Sequence, residues 1–101
     1  MRRDPWDLKV ATEPIKDYII TDHATVELER RGLSAQAIDN ILKNPDQRME
    51  VRAGRVVVLS RVQESGGEYL VRVFVDIDRA PAEVVTAYRT SKVLKYWRDD
   101  V

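Results

Sequence analysis

The spacing of apolar and polar positions becomes regular at Thr21. Thr21 or Asp22 can cap a helix running to Arg31, where Gly32 supplies the left-handed residue that commonly ends one. Ser34 can cap a second helix, in which Ala37, Ile38, Ile41 and Leu42 recur on one face. Asn44-Pro45 stops it, because proline lacks the amide hydrogen and clashes with the preceding turn. Beyond Pro45 the period drops to two. Valine-rich strands are predicted over 49–52, 55–62, 69–76 and 84–89, separated by Ala-Gly, Ser-Gly-Gly and an Asp/Pro loop.

Two helices followed by a run of strands with short connections indicate an α+β fold, with both helices packed on one face of an antiparallel sheet of about four strands. Residues 91–97 are expected to form a short C-terminal helix, capped by Thr90 or Ser91, that folds Leu94 and Trp97 back onto the core. Residues 1–16 mix charges with Pro5 and Pro14 and read as an N-terminal arm, anchored by Trp6, Leu8 and Val10. Residues 17–101 form the single domain.

Strand alternation sorts the side chains into faces. In the third strand Tyr69, Val71, Val73 and Val75 make the cleaner apolar side and take the helices, leaving Leu70, Arg72, Phe74 and Asp76 on the uncovered side. In the last strand Val84, Thr86 and Tyr88 share one side, and Val85, Ala87 and Arg89 the other. Whether Tyr88 joins Arg72 depends on register, which alternation leaves open.

Composition narrows the class. A chain of 101 residues, 44% apolar, has room for one domain with one modest core. It has no cysteine, so disulfides and thiolate metal sites are out of reach, and this fits a reducing, cytoplasmic setting. No apolar run spans a bilayer and the N-terminus lacks a signal-like apolar stretch, so no membrane association is expected. Seventeen basic residues cancel seventeen acidic ones, which argues against a nonspecific nucleic-acid binder. The balance is uneven, however: Arg48, Arg52, Arg55, Arg61, Arg72 and Arg89 fall in or directly beside the predicted strands, so a local basic surface survives it.

His23 is the one histidine, and a histidine's ordinary pKa of about 6.5 suits it to both giving and taking protons. On the first helix it shares a stripe with Glu27 and Arg30, beside Arg31. The plain alternative is a surface or capping residue. Arg72 can meet a phosphate or serve as an ordinary ion-pair partner. His23 with Glu27, and Asp76 with Asp78, are two-ligand sets without partners, so no metal or other cofactor is expected. The run Arg89-Thr90-Ser91-Lys92 is either a helix cap flanked by cations or an anion site made of two hydroxyls and two cations at a helix start.

Four segments occur in a recognisable order: Ile20-Thr21-Asp22-His23-Ala24, Arg31-Gly32-Leu33-Ser34, Lys43-Asn44-Pro45, and 85–92 with Thr86, Tyr88 and Arg89-Thr90-Ser91-Lys92. Over about 17–97 the chain resembles a domain-of-unknown-function family (four-two-five-eight). That family looks related to the RelE/ParE-like toxins and the wider barnase-EndoU-colicin-RelE group of metal-independent ribonucleases. The resemblance implies a RelE-like helix-helix-sheet fold and the role of a toxin in a toxin–antitoxin pair. One position departs: the family often carries an arginine one turn after the histidine, where this chain has Glu27.

The resulting expectation is a metal-independent endoribonuclease acting by transesterification from the 2′-hydroxyl. His23, Arg72 and Tyr88 are the expected catalytic residues: base or acid, phosphorane stabiliser, and hydrogen-bond donor. Arg31, Arg55, Thr86, Arg89, Thr90 and Lys92 are the expected substrate-binding residues. An RNA substrate and an acidic antitoxin protein are the expected partners. Two other readings stand beside it: a non-catalytic protein-binding module of the same fold, and a toxin that inhibits a protein target.

Overall fold

The structure is a computed structural model that describes residues 12–99. Trp6, Leu8 and Val10, the expected anchors of the arm, lie outside the described residues. The elements in chain order are β1 (Tyr18–Ile20), α1 (Asp22–Arg30), α2 (Ala35–Lys43), β2 (Gln47–Arg52), β3 (Arg55–Glu64), β4 (Gly67–Asp76), β5 (Ala82–Thr90) and α3 (Val93–Tyr96).

Local chemistry accounts for the helix boundaries. The Thr21 hydroxyl accepts the Ala24 amide and the Ser34 hydroxyl accepts the Ala37 amide, each satisfying a donor that a helix start leaves free. Gly32, at φ +70°, turns the chain from α1 into α2. Gly54 makes the tight β2–β3 turn at φ +83°, and a Cβ there would come within 2.8 Å of the Asp78 carboxylate.

The sheet has five strands in the order β1-β5-β4-β3-β2 and is mixed. β2 to β5 form the antiparallel meander, each strand longer than its valine pattern alone marks. β1 corrects the expectation of a purely antiparallel sheet. It is an extra edge strand, paired in parallel with Ala82–Val84 across some sixty residues of sequence. Three residues carry too little pattern to announce it, and its partner is distant in sequence.

The helices cover the face expected of them. Leu28, Leu33, Ile38, Ile41 and Leu42 pack on Val56, Val58, Val71, Val73 and Val75, with Val84 and Ala87 from β5, in one buried cluster. Ile15 joins it, and its amide donates to the Leu42 carbonyl at 2.8 Å. The Tyr18 hydroxyl donates to Asp39 at 2.5 Å, tying β1 to α2; burial first, then the Asp39 bond and charge, push the phenol up to about 12.

Val84 and Ala87 in one core contradict the strict alternation expected of the last strand. The pairing shifts between Phe74 and Val75: Phe74 faces Thr86, whereas Val75 faces Val84, so Val85 is an extra residue. This bulge resets the alternation, and Thr86 no longer lies simply with Val84.

The opposite face is not bare, as alternation implied. A second, smaller cluster of Leu59, Leu70 and Val93, with Met49, Tyr96 and Trp97 against it, forms where the C-terminal segment crosses the strands. Val93, rather than Leu94, supplies the anchor; Leu94 is 86% exposed. The cap of α3 also differs from expectation. Lys92 holds the cap position without a side-chain bond, and Thr90 instead accepts the Lys92 amide at 3.1 Å, closing a tight turn after the strand.

Candidate functional site

Register brings Arg72 and Tyr88 together. They are direct cross-strand partners on β4 and β5, and the guanidinium donates to the Tyr88 hydroxyl. Phe74, two residues along β4, stacks on Tyr88 at 6.1 Å between ring centroids. α3 then lays Tyr96 over the guanidinium, with the Arg72 carbon 4.0 Å from the ring centroid and the Phe74 and Tyr88 rings at 5.2 and 5.6 Å. An arginine stacks on aromatic faces readily because its planar cation is weakly hydrated.

This group carries an excess of positive charge. Lys95 places its ammonium 5.2 Å from the Tyr96 ring, and among the described residues no carboxylate is paired with Arg72. The Arg72 Nε is buried and has no hydrogen-bond partner among the described residues. Such a donor is costly to leave unmet. The Tyr96 phenol is lowered below the ordinary tyrosine range, first by the Tyr88 hydroxyl, then by Lys95, with the Arg72 charge adding to it against the opposing effect of burial.

His23 lies elsewhere. On α1 its Nε2 sits 3.3 Å from Glu27, and its side chain is 78% exposed. Glu27 accepts the Thr86 hydroxyl at 2.7 Å, while Arg31 donates to Thr86 at 3.2 Å and to the Ala87 carbonyl at 2.7 Å. Past the bulge Thr86 lies opposite Phe74, and its hydroxyl still meets the α1 side chains. β1 pairs only as far as Val84, so Arg31 also meets a backbone oxygen of β5 beyond the reach of β1. The Glu27 carboxyl is held below the usual range, chiefly by the Thr86 bond, with Arg31 and His23 contributing. Glu27 therefore acts as the hub of an internal network, in the place where the resemblance implies an arginine.

The other expected binding residues are dispersed. Arg89 pairs with Glu64 and reaches the Arg31 carbonyl at 3.4 Å. Arg55 is held by the buried Asp76 at 2.6 and 3.1 Å, four residues along β4 from Arg72. Thr90 spends its oxygen on the turn before α3, and Lys92 flanks that turn. Of the nine expected site residues, the structure thus joins Arg72 with Tyr88, and His23 with Arg31 and Thr86. The two groups are linked through Phe74, which pairs with Thr86 and stacks on Tyr88. Among the described residues, no group of three or more His, Asp or Glu is placed to hold a metal ion.

Sequence reasoning missed Tyr96, Lys95 and Phe74 as site members. The signal available was the aromatic pair Tyr96-Trp97 directly after a polar run, but its use depends on where α3 ends and how the chain then crosses the sheet.

The family described as Domain of unknown function (DUF4258) matches residues 20–89, a span that takes in both groups except Lys95 and Tyr96. No curated protein and no solved structure matches the chain.

Proposed function

The chain belongs to the DUF4258 family, a domain of unknown function, and from the geometry of its second sheet face we propose that it is a metal-independent endoribonuclease. The observation that carries the reading is the stacked set Arg72, Tyr88 and Tyr96: a cation without a carboxylate, an unmet buried N–H, and a phenol shifted toward its anion. An RNA phosphate supplies the missing negative charge. Single-stranded RNA also offers bases that stack on aromatic faces.

The chemistry follows from the roles these groups can take. Tyr96 accepts the 2′-hydroxyl proton, and the 2′-oxygen attacks phosphorus. Arg72 donates to the non-bridging oxygens as charge builds on them, and Tyr88 protonates the departing 5′-oxygen. The products are a 2′,3′-cyclic phosphate and a 5′-hydroxyl. The role of base moves from His23 to Tyr96 because His23 is exposed on α1 and belongs to the Glu27 network. Kinship with RelE/ParE-like toxins, and an acidic antitoxin that covers this face, belong to the same proposal.

Purified protein incubated with single-stranded RNA, with and without chelator, tests it. Cyclic-phosphate ends in both conditions, lost in Arg72→Ala, support the reading; intact RNA in both ends it.

A second reading, a non-catalytic protein-binding module, has its own observation. Arg55, Arg61 and Arg89 are each neutralised by an internal carboxylate, Asp76, Glu68 and Glu64, which leaves a small basic surface for RNA. Intact RNA together with a stable protein complex would favour it, and growth arrest with intact RNA would favour inhibition of a protein target.

A further inference from the structure

Tyr96 ends α3, and the chain after it crosses the sheet as far as Gln47 on β2. We infer that Gln47 is a positioning residue for this site: its side-chain amide latches the C-terminal segment at Arg98 and so keeps Tyr96 stacked on Arg72.

Register sets the geometry. Gln47 faces Leu59, Leu59 faces Arg72, and Arg72 faces Tyr88, so these four residues form one row across β2, β3, β4 and β5. Directly opposed residues share a face. The C-terminal segment runs along this row. Tyr96 lies over Arg72, and two residues later the backbone of Arg98 lies at Gln47. Trp97 between them is extended, at φ −75° and ψ 132°. Two extended residues reach roughly 7 Å, whereas the two strand spacings from β4 to β2 amount to roughly 9.6 Å. The segment covers this distance with the Tyr96 and Gln47 side chains reaching in from either end, so its attachment at Gln47 bears on where Tyr96 sits.

Gln47 makes that far end specific. Its side-chain amide donates to the Arg98 carbonyl at 2.7 Å, and its oxygen accepts the Arg98 amide at 3.1 Å. Both ends of one amide are thus satisfied by one residue's backbone, as a neighbouring strand would do. Gln47 is 4% exposed, so the pairing is shielded from competing water. The segment is also fastened at its start, where Val93 is buried, and on the surface, where Arg61 stacks on Trp97 at 4.7 Å. A leucine at 47 would fill the space but hold no particular residue of the chain.

The inference rests on the proposed ribonuclease site for its catalytic consequence, but its structural part is tested separately. Amide hydrogen exchange on the unmodified protein comes first: the Arg98 amide, beyond the last helix, is expected to be protected. Gln47→Leu, checked for folding by circular dichroism, is expected to reduce that protection about tenfold, the equivalent of one hydrogen bond. A spectrophotometric titration of the tyrosines follows, with Tyr96→Phe identifying the step that belongs to Tyr96. In Gln47→Leu that step is expected to move up toward the ordinary tyrosine range, and kcat for RNA cleavage to fall more than KM rises. Gln47→Glu, which keeps an acceptor for the Arg98 amide but sets a carboxylate against its carbonyl, is expected to give the same shift.

An unprotected Arg98 amide in the unmodified protein overturns the latch whether or not any variant folds. An unchanged Tyr96 step in folded Gln47→Leu overturns it as well. Intact RNA with the unmodified protein ends the ribonuclease reading alone, because exchange and titration still decide the latch.

Discussion

Two polar groups share strand β5 and differ in how their charges are met. Around Thr86, His23, Glu27 and Arg31 form a closed set in which each charged group finds an internal partner. Around Tyr88, Arg72 and Lys95 face aromatic rings and a hydroxyl, with no paired carboxylate among the described residues and one buried N–H unmet. The first arrangement holds α1 to β5 and leaves little unsatisfied for a ligand. The second has spare capacity for an anion, at a cost in folding that a ligand can offset. Two residues on one strand thus separate a structural network from a candidate site: Thr86 and Tyr88 share a sheet face past the bulge at Val85, but Thr86 is bonded to Glu27 and Arg31 of α1, whereas Tyr88 is bonded to Arg72.

The sharpest test of this contrast removes the central cation. On the proposed function, Arg72→Ala lowers the RNA cleavage rate by about 10²- to 10³-fold, the usual loss when a principal charge stabiliser is removed. Arg72→Lys restores little, because an ammonium can neither stack under Tyr96 as a plane nor donate in a fork. Cleavage assays on both variants, with stability monitored alongside, check this; full activity in Arg72→Ala would place the chemistry elsewhere. Tyr96→Phe comes next, with a loss of about 10²-fold expected for a missing general base. It carries a pH signature. The phenol is shifted below the ordinary tyrosine range, so in the unmodified enzyme cleavage rises with pH through that lowered value; in Tyr96→Phe the rise disappears.

A third arginine serves as a control on folding. Arg55 and Asp76 form a largely buried pair at the far end of the same strands, with Arg79 adding to it. Asp76→Asn is expected to cost about 2 kcal/mol, between the values for exposed and fully buried pairs, and to lower Tm by about 10 °C, leaving the cleavage rate of the folded protein near its starting value. The pair also predicts acid sensitivity. Hydrogen bonds from Arg55, first, hold the Asp76 carboxyl below its usual range. The contribution is therefore full above the ordinary aspartate pKa of about 3.9 and is lost as pH falls through the lowered folded-state value. Denaturant titrations across that window should show the fall in the unmodified protein and its reduction in Asp76→Asn.

What could be read from the chain follows how local each cause is. Thr21 and Ser34 announce their helices because a cap needs only the next few residues, and Gly32 and Pro45 end them for equally local reasons. The apolar face of β4 was legible because Val71, Val73 and Val75 alternate without interruption. β1 was not, since its partner lies some sixty residues on, nor was Val85, whose extra place in the ladder exists only relative to β4. Arg72 and Tyr88 were each recognisable as candidates, but their meeting is a matter of register. Tyr96 was hidden furthest, because it depends on α3 ending there and on Gln47 taking the chain beyond it.

The smallest expected effect belongs to His23, one of the three residues the sequence marked as catalytic. His23 is exposed, touches Glu27 at the rim of the network, and leaves the Glu27–Thr86–Arg31 bonds in place when it is removed. His23→Ala should therefore change stability by no more than about 0.5 kcal/mol, as surface substitutions usually do, and leave cleavage within about threefold on the proposed mechanism. Glu27→Ala should do more, because it strips Thr86 and Arg31 of a shared acceptor. Denaturant titrations and RNA assays on the two variants distinguish a rim residue from a hub. If His23→Ala abolished cleavage while Tyr96→Phe did not, the two groups on β5 would exchange roles. The closed network would then be a catalytic site in its resting, self-paired state, with RNA displacing Glu27 from His23, and the aromatic stack around Arg72 would be the structural element.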